Sequence, residues 1–436
     1  MPQLVMDLSP LKASPEFRRI WVGGLFSTLG YNITAVAIAL EIYALTGSAG
    51  AVGLTGMVAI IPMIVGGLYG GVIADTYDRR KVALGASLGM WLITTFIALH
   101  SWLGIHSLTL LYSLIAAESL LQPINQAARG AIIPKLVRGK KLPAANTLMM
   151  SVGTLGMSLG PMLGGVLVAS VGYKWTYLIN VLAFMVGLWA LYKLPPMSPE
   201  LTSATRSGGI RSIAEGFSFV RREKVMGMSF LVDFIGMVFA QGRPIIPALA
   251  ALTFGGGEAG AGFLLSAGAL GAFIGLLFSG FLGRISRQGR FLTLSYLGWG
   301  GGFIAFGLVA WAHEGRILTD SVTENLAPLL AAGAALAFMG WADALGGVYR
   351  STIIQTAAPD HMRGRLQGLF IITVAGGPNL GSALVGGLAE LTGPSLAAVL
   401  GGTLVILAIA VVTVLQPALW RYVPEPVPET RQNPVL

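Results

Sequence analysis

The chain contains no cysteine, which excludes disulfides and thiolate-held metals. Charge is scarce as well. Only 11% of its 436 residues are charged and 54% are hydrophobic, against roughly 25% and 45–50% in a soluble domain. So little polar surface cannot cover a water-facing globule of this size. Histidine is rare: His100, His106, His313 and His361 fall near predicted loops without ligand spacing, so no metal site is expected. There is no Gly-x-x-x-x-Gly-Lys-Ser/Thr phosphate loop, which argues against ATP hydrolysis. With no nucleophile–base pair either, neither an enzyme nor a cofactor is expected. Residues Met1 to Arg19 lack the apolar core of a cleavable signal, so the first helix is expected to direct insertion.

Long apolar runs are abundant. A spanning helix needs about 20 apolar residues, and twelve stretches qualify: 20–45, 50–74, 82–100, 108–129, 144–170, 175–194, 225–249, 259–283, 291–312, 326–349, 366–391 and 396–418. The predicted fold is an all-α membrane protein in two pseudo-symmetric six-helix bundles. Residues 1–194 form the first, 195–224 a cytoplasmic linker, and 225–436 the second with its tail. If the N-terminus is cytoplasmic, 24 of the 28 basic residues lie on that side. This is the positive-inside bias, so the net charge of +9 is topological and nucleic acid is not an expected partner. Both termini are expected inside, in an inner-membrane protein.

The halves echo each other. Arg129-Gly-Ala-Ile-Ile is matched by Arg350-Ser-Thr-Ile-Ile, and the Gly156…Gly165 run by Gly377-Pro378…Gly386-Gly387. Between the second and third spans lies Gly71-Val-Ile-Ala-Asp75-Thr-Tyr-Asp78-Arg79-Arg80-Lys81, echoed weakly by Gly280…Arg284…Arg287…Arg290. Repeats flanking a midplane site are one architecture of secondary transporters.

These motifs resemble the major facilitator superfamily over nearly the whole chain. Gly71 to Lys81 is similar to its loop motif, with Asp78 in place of the second glycine. The run Gly156, Gly160, Pro161, Gly164, Gly165 resembles the antiporter motif of exporters. The opening Asp7-Leu-Ser-Pro-Leu-Lys-Ala-Ser-Pro-Glu-Phe-Arg, the Gly70 to Val82 segment, Arg243-Pro-Ile-Ile-Pro-Ala-Leu and Ser279-Gly resemble the siderophore exporters within it. The resemblance implies proton-driven export of an enterobactin-type siderophore by alternating access. A multidrug/proton antiporter expelling hydrophobic or cationic drugs stays open, as does a transport-inactive sensor.

It further implies that Gly71, Asp75, Arg79 and Arg80 form a gating motif. Asp75 would cap the N-terminus of the eleventh helix, where an anion is favoured, and pair with Arg79. Gly156, Gly160, Gly164 and Gly165 present small residues for close backbone approach, and Pro161 bends the helix. Three acids fall inside spans: Glu118, Asp233 and Asp343. Intramembrane charges cost about 2.5–3.5 kcal/mol on insertion scales and usually face a cavity. A carboxyl group taken out of water favours its neutral form, so all three are proton-coupling candidates, with Asp233 preferred. Asp343, two turns from Arg350, is its expected ion-pair partner. Tyr31, Asn32, Gln122, Asn125, Gln126, Gln241 and Arg243 are substrate-cavity candidates, because helices 1, 4, 7 and 10 line the cavity in families of this type. Glu41 and Glu390 sit at outer helix ends, where interfacial solvation accounts for them; Trp21, Trp102, Trp175, Trp311 and Trp420 read as interfacial anchors. The expected partners are a small-molecule substrate, protons and the lipid bilayer, and a monomer is expected.

Overall fold

Prolines, glycines and short polar residues set where the helices start and stop. The computed structural model describes residues 8–137, 142–197, 218–277, 287–315, 322–357 and 360–423. A short helix, Ser9–Ala13, precedes α1 (Pro15–Thr46), whose N-cap Ser14 accepts from Phe17 N–H at 3.1 Å. Ser48 likewise caps α2 (Ala49–Thr76), Asp78 caps α3 (Arg79–Leu103) and Ser107 caps α4 (Leu108–Leu136). Each satisfies an amide that the first helical turn leaves unpaired. α5 and α6 share the stretch Leu142–Tyr192, which folds back at Gly172, whose φ of 78° favours glycine. The second half holds α7a (Lys224–Phe239), α7b (Ile246–Leu252), α8 (Gly257–Leu277) and α9 (Gln288–His313). α10 (Val322–Ala357), α11 (Asp360–Thr392) and α12 (Pro394–Leu415) follow. Gly393, with φ 87°, turns α11 into α12 as Gly172 turns α5 into α6.

Eight of these helical stretches are long and apolar enough to cross a bilayer by themselves, one of them the folded-back α5–α6 pair. α4, α7 and α11 are not among them; the first two carry Glu118, Arg129 and Asp233 within their helices. Large apolar side chains such as Ile61 (72% exposed) and Val414 (80%) stand on the outside. Lipid accounts for them; water would not. Two sequence expectations are corrected. The fourth helix runs on to Leu136 rather than stopping at residue 129, and the seventh is broken over residues 240–245. Pro244 and Pro247 lack the amide hydrogens that a continuous helix would use there.

The packing repeats. α1 lies on the α5–α6 hairpin, α2 on α4, and α3 on α4 and the hairpin. In the second bundle α7a packs on α11 and α12, α8 on α10, and α9 on α10 and α12. The bundles meet along two crossings, α2 with α11 and α5 with α8. We call the side where α1 begins the linker face and the opposite side the far face. Most of residues 195–224, the expected linker, lie outside the described residues, as do residues 278–286 with Gly280 and Arg284.

Candidate functional site

Three polar clusters interrupt the apolar packing. In the second bundle, α7a delivers Asp233 into the core with no exposure. The Tyr296 hydroxyl on α9 donates to Asp233 Oδ1 at 2.6 Å, and Arg350 Nη1 on α10 pairs with the same oxygen. Arg350 Nη1 also donates to Tyr296 Oη at 2.9 Å, closing a triangle. Trp299 stacks on Tyr296 with centroids 5.5 Å apart. Asp343 lies within the electrostatic reach of both Asp233 and Arg350. The expected Asp343–Arg350 pair is therefore corrected: the ion pair goes to Asp233, and Asp343 adds a second carboxyl nearby. Asp233 Oδ2 is buried without a hydrogen-bond partner among the described residues. Tyr296 carried no signal in the sequence, being an aromatic residue in an apolar run.

The second cluster spans the two bundles. Tyr31 on α1 lies in the electrostatic fields of Glu118 on α4 and of Arg243 at the α7 break. Glu118 is 8% exposed, while Arg243 is exposed. The helix break lets Arg243 stand here instead of packing into a helix wall. The other cavity candidates divide. Gln241 Nε2 reaches the Pro378 carbonyl on α11 at 3.4 Å, and its Oε1 accepts from Arg243 N–H. Asn32 Nδ2 donates to the Thr28 carbonyl of its own helix, and its side chain packs against Gly156 and Gly160. Asn125 is buried and turned toward α3, donating to the Ala83 carbonyl at 3.1 Å and to Ser87 Oγ. Its polar group is thus used in helix packing. Gln122 is part-buried and Gln126 exposed.

The glycines of the antiporter motif split between two tasks. Gly156, Gly160 and Gly164 face α1: an added methyl would collide with Thr28 at Gly156 and with Asn32 at Gly160, and would sit tightly against Ile33 at Gly164. Gly165 faces the other bundle: a Cβ there would sit 2.7 Å from Gly262 Cα on α8. α11 repeats the division, with Gly377 and Gly381 against α7a and Gly386 against Gly53 of α2. Pro161 lies inside α5 between the two tasks.

At the gating motif, Asp78 explains its own presence. Its Oδ1 accepts from Lys81 N–H at 3.0 Å and its Oδ2 from Met197 N–H at 2.7 Å, so it caps α3 and holds the start of the linker. Arg79 Nη1 donates to the Ala131 carbonyl at 3.1 Å, and Arg80 Nη2 to the Tyr192 carbonyl at 2.6 Å. The motif's bases thus bind the ends of α4 and α6. Gly71 lies within α2. The side chain of Asp75 is outside the described residues.

The third cluster overturns the reading of Glu41 as an interfacially solvated end. Glu41 is 4% exposed, its Oε2 accepts from the Tyr177 hydroxyl at 2.6 Å, and its Oε1 faces His100 Nδ1 at 3.8 Å. His100 Nε2 accepts from Ser107 N–H at 2.9 Å, which leaves the ring proton on Nδ1, toward the carboxylate. A hydrogen-bond donor from α6 and an imidazole from α3 thus face a carboxylate from α1. Removing it strands the buried Tyr177 hydroxyl, at about 1–3 kcal/mol, and takes the facing acid from His100. Glu41→Ala is expected to lower the thermal midpoint in detergent clearly, and Glu41→Gln, which keeps an acceptor, much less. Equal midpoints for both variants and the wild type would contradict this. Trp21 is no simple anchor either, since its Nε1 donates to the Leu148 carbonyl on α5 at 2.9 Å.

Two six-helix bundles that meet at glycine crossings, with charged groups buried among long apolar helices, define a multi-pass membrane transporter. The chain belongs to the major facilitator superfamily: it matches the transmembrane secretion effector family over residues 5–423. It is 31% identical over 413 residues to the enterobactin exporter EntS of Shigella boydii serotype 18, covering 94% of each chain. The same protein of Escherichia coli O139:H28 gives the same identity and coverage. Among solved structures, the nucleoside transporter NupG superposes with a TM-score of 0.70 at 12% identity, covering 93% of this chain and 99% of that one. The POT family transporter PepTSo does so with 0.72 at 13%, covering 93% and 98%. At those identities the structural likeness speaks for the fold alone.

Proposed function

We propose that the chain exports a small organic molecule, a siderophore of the enterobactin type, across an inner membrane by alternating access driven by inward proton flow. The substrate class is supported by full-length similarity to enterobactin exporters. The observation that supports the reading in the structure is that Tyr31 lies within the electrostatic reach of Glu118 in its own bundle and of Arg243 at the α7 break of the other. A guanidinium and a phenol suit the hydroxyls and developing negative charge of a catecholate. Because the cluster draws on both bundles, occupancy would be felt by both. Gln122, Gln126 and Gln241 would add polar contacts around it.

Proton coupling is assigned to the acids. Asp233 pairs with Arg350 and Asp343 lies within electrostatic reach of both, so one proton would balance the charge of these three groups. Glu118 meets no hydrogen-bonding side chain among the described residues, which supports its exchanging a proton against substrate. Asp75 would latch the linker face against α11, with Gly71 and Arg80 shaping the loop. The positive-inside bias supports both termini lying in the cytoplasm, and the unit would work as a monomer without a cofactor. A second reading, expulsion of cationic drugs, is favoured by Glu118 itself, an acid facing Tyr31 at the bundle interface.

Arg243→Ala is expected to raise the substrate concentration for half-maximal catecholate export about tenfold, the loss of one charge-assisted contact. Glu118→Gln is expected to abolish proton-coupled export while leaving substrate binding measurable. Unchanged catecholate export by Arg243→Ala, together with ethidium export lost in Glu118→Gln, would turn the assignment to the multidrug reading.

A further inference from the structure

Glu390 stands one helical turn beyond Gly386, on the face of α11 that crosses α2, and its side chain is exposed rather than packed away. It nevertheless bonds to the other bundle. Its Oε1 accepts from Ser48 Oγ at 2.6 Å and from Gly50 N–H at 2.8 Å. Ser48 is the N-cap of α2, and its Oγ also accepts from Ala51 N–H at 2.9 Å. One carboxylate oxygen thus takes two donors at the positive end of a helix 28 residues long, where anions are favoured. Such charge-assisted bonds are roughly twice as strong as neutral ones.

Its position gives this contact a consequence. Both glycine crossings, Gly53 with Gly386 and Gly165 with Gly262, lie in the far-face halves of their helices. Glu390 bridges the bundles at the outermost turn of the first crossing. Among the described residues the second crossing has no such hydrogen-bonded bridge: Ala169 stands one turn beyond Gly165, and Glu258 of α8 reaches Tyr173 of α6 only through its electrostatic field. One crossing is therefore hydrogen-bonded by a side chain and the other is not.

From this asymmetry we infer that Glu390 is a positioning residue for transport: it latches the far face shut by capping α2 across the bundle interface. Opening that face must break both bonds, so Glu390 sets the balance between the far-closed and far-open states. The proposal rests on alternating access, and the test separates the two.

The cysteine-free chain accepts paired spin labels without background. Leu103→Cys at the far end of α3 and Leu391→Cys at the far end of α11 are 64% and 85% exposed. Distances are measured between them in lipid nanodiscs, with and without a catecholate siderophore. Glu390→Ala is expected to raise the ratio of long to short distances about tenfold, Ser48→Ala less, and Glu390→Asp least if the shorter acid still reaches. The melting midpoint checks that each variant is folded. A Glu390→Ala distribution equal to wild type, in a wild type that does populate both distances, would overturn the latch and leave alternating access standing. A wild type fixed at one distance with and without substrate would overturn both.

Discussion

Asp233→Ala is expected to destabilise the protein by about 3–5 kcal/mol, because it breaks a buried ion pair by removing one partner. Arg350 would lose the ion pair at its Nη1 and keep the Tyr296 hydroxyl there, in a core where Asp233 itself has no exposure. Arg350→Ala should cost a similar amount, since it leaves two carboxyls without their counter-charge. The double variant Asp233→Leu/Arg350→Met should recover most of the loss, because an apolar replacement of a buried pair is often neutral. Thermal unfolding in detergent reads these differences directly. Asp233→Asn separates structure from transport: it keeps an acceptor for Tyr296 but cannot carry a proton. It should fold and lose coupling. Wild-type stability in Asp233→Ala, or a double variant worse than either single one, would contradict the buried triangle.

Gly165→Leu is expected to abolish export, and Gly165→Ala to lower it severalfold. Even a single carbon at Gly165 would meet Gly262 Cα at 2.7 Å, and one at Gly262 would meet Gly165 Cα at 2.9 Å. Both contacts are backbone, which cannot swing aside as a side chain can. Overpacking of this kind costs about 1–3 kcal/mol, here at the crossing through which the bundles must close. Gly85→Ala is the control, since nothing lies within 4 Å of a Cβ there. Export retained by Gly165→Leu but lost in Gly85→Ala would mean that the crossing does not matter.

The fold was legible because a bilayer leaves few alternatives: long apolar runs must become helices whose backbone bonds are internal. The repeat was legible for a similar reason. Gly165 and Gly386, or Gly172 and Gly393, recur because each backbone approach or left-handed turn must be made once per bundle. The α7 break could have been read from Pro244 and Pro247, yet the apolar run through residues 225–249 concealed it. The charge partners were hidden more deeply. Asp233 and Arg350 are 117 positions apart, and Glu41 and Tyr177 are 136 apart, so no local pattern joins them. Spacing alone points from Arg350 to Asp343, whereas the pairing with Asp233 follows how α7a, α9 and α10 face one another. Glu390 looked like an interfacial end until its turn was seen to lie on the α2 crossing. Asn125 looked like cavity lining for the opposite reason, its polarity being spent on α3.

Substrate-driven proton exchange is the most direct measure of the central claim. Purified protein in liposomes loaded with a pH-sensitive dye is given an imposed proton gradient, then an enterobactin-like catecholate or ethidium in separate runs. Proton flux evoked by the catecholate alone, and lost in Glu118→Gln, is the expected result. Flux evoked by neither compound, or flux that persists unchanged in Glu118→Gln, would contradict it.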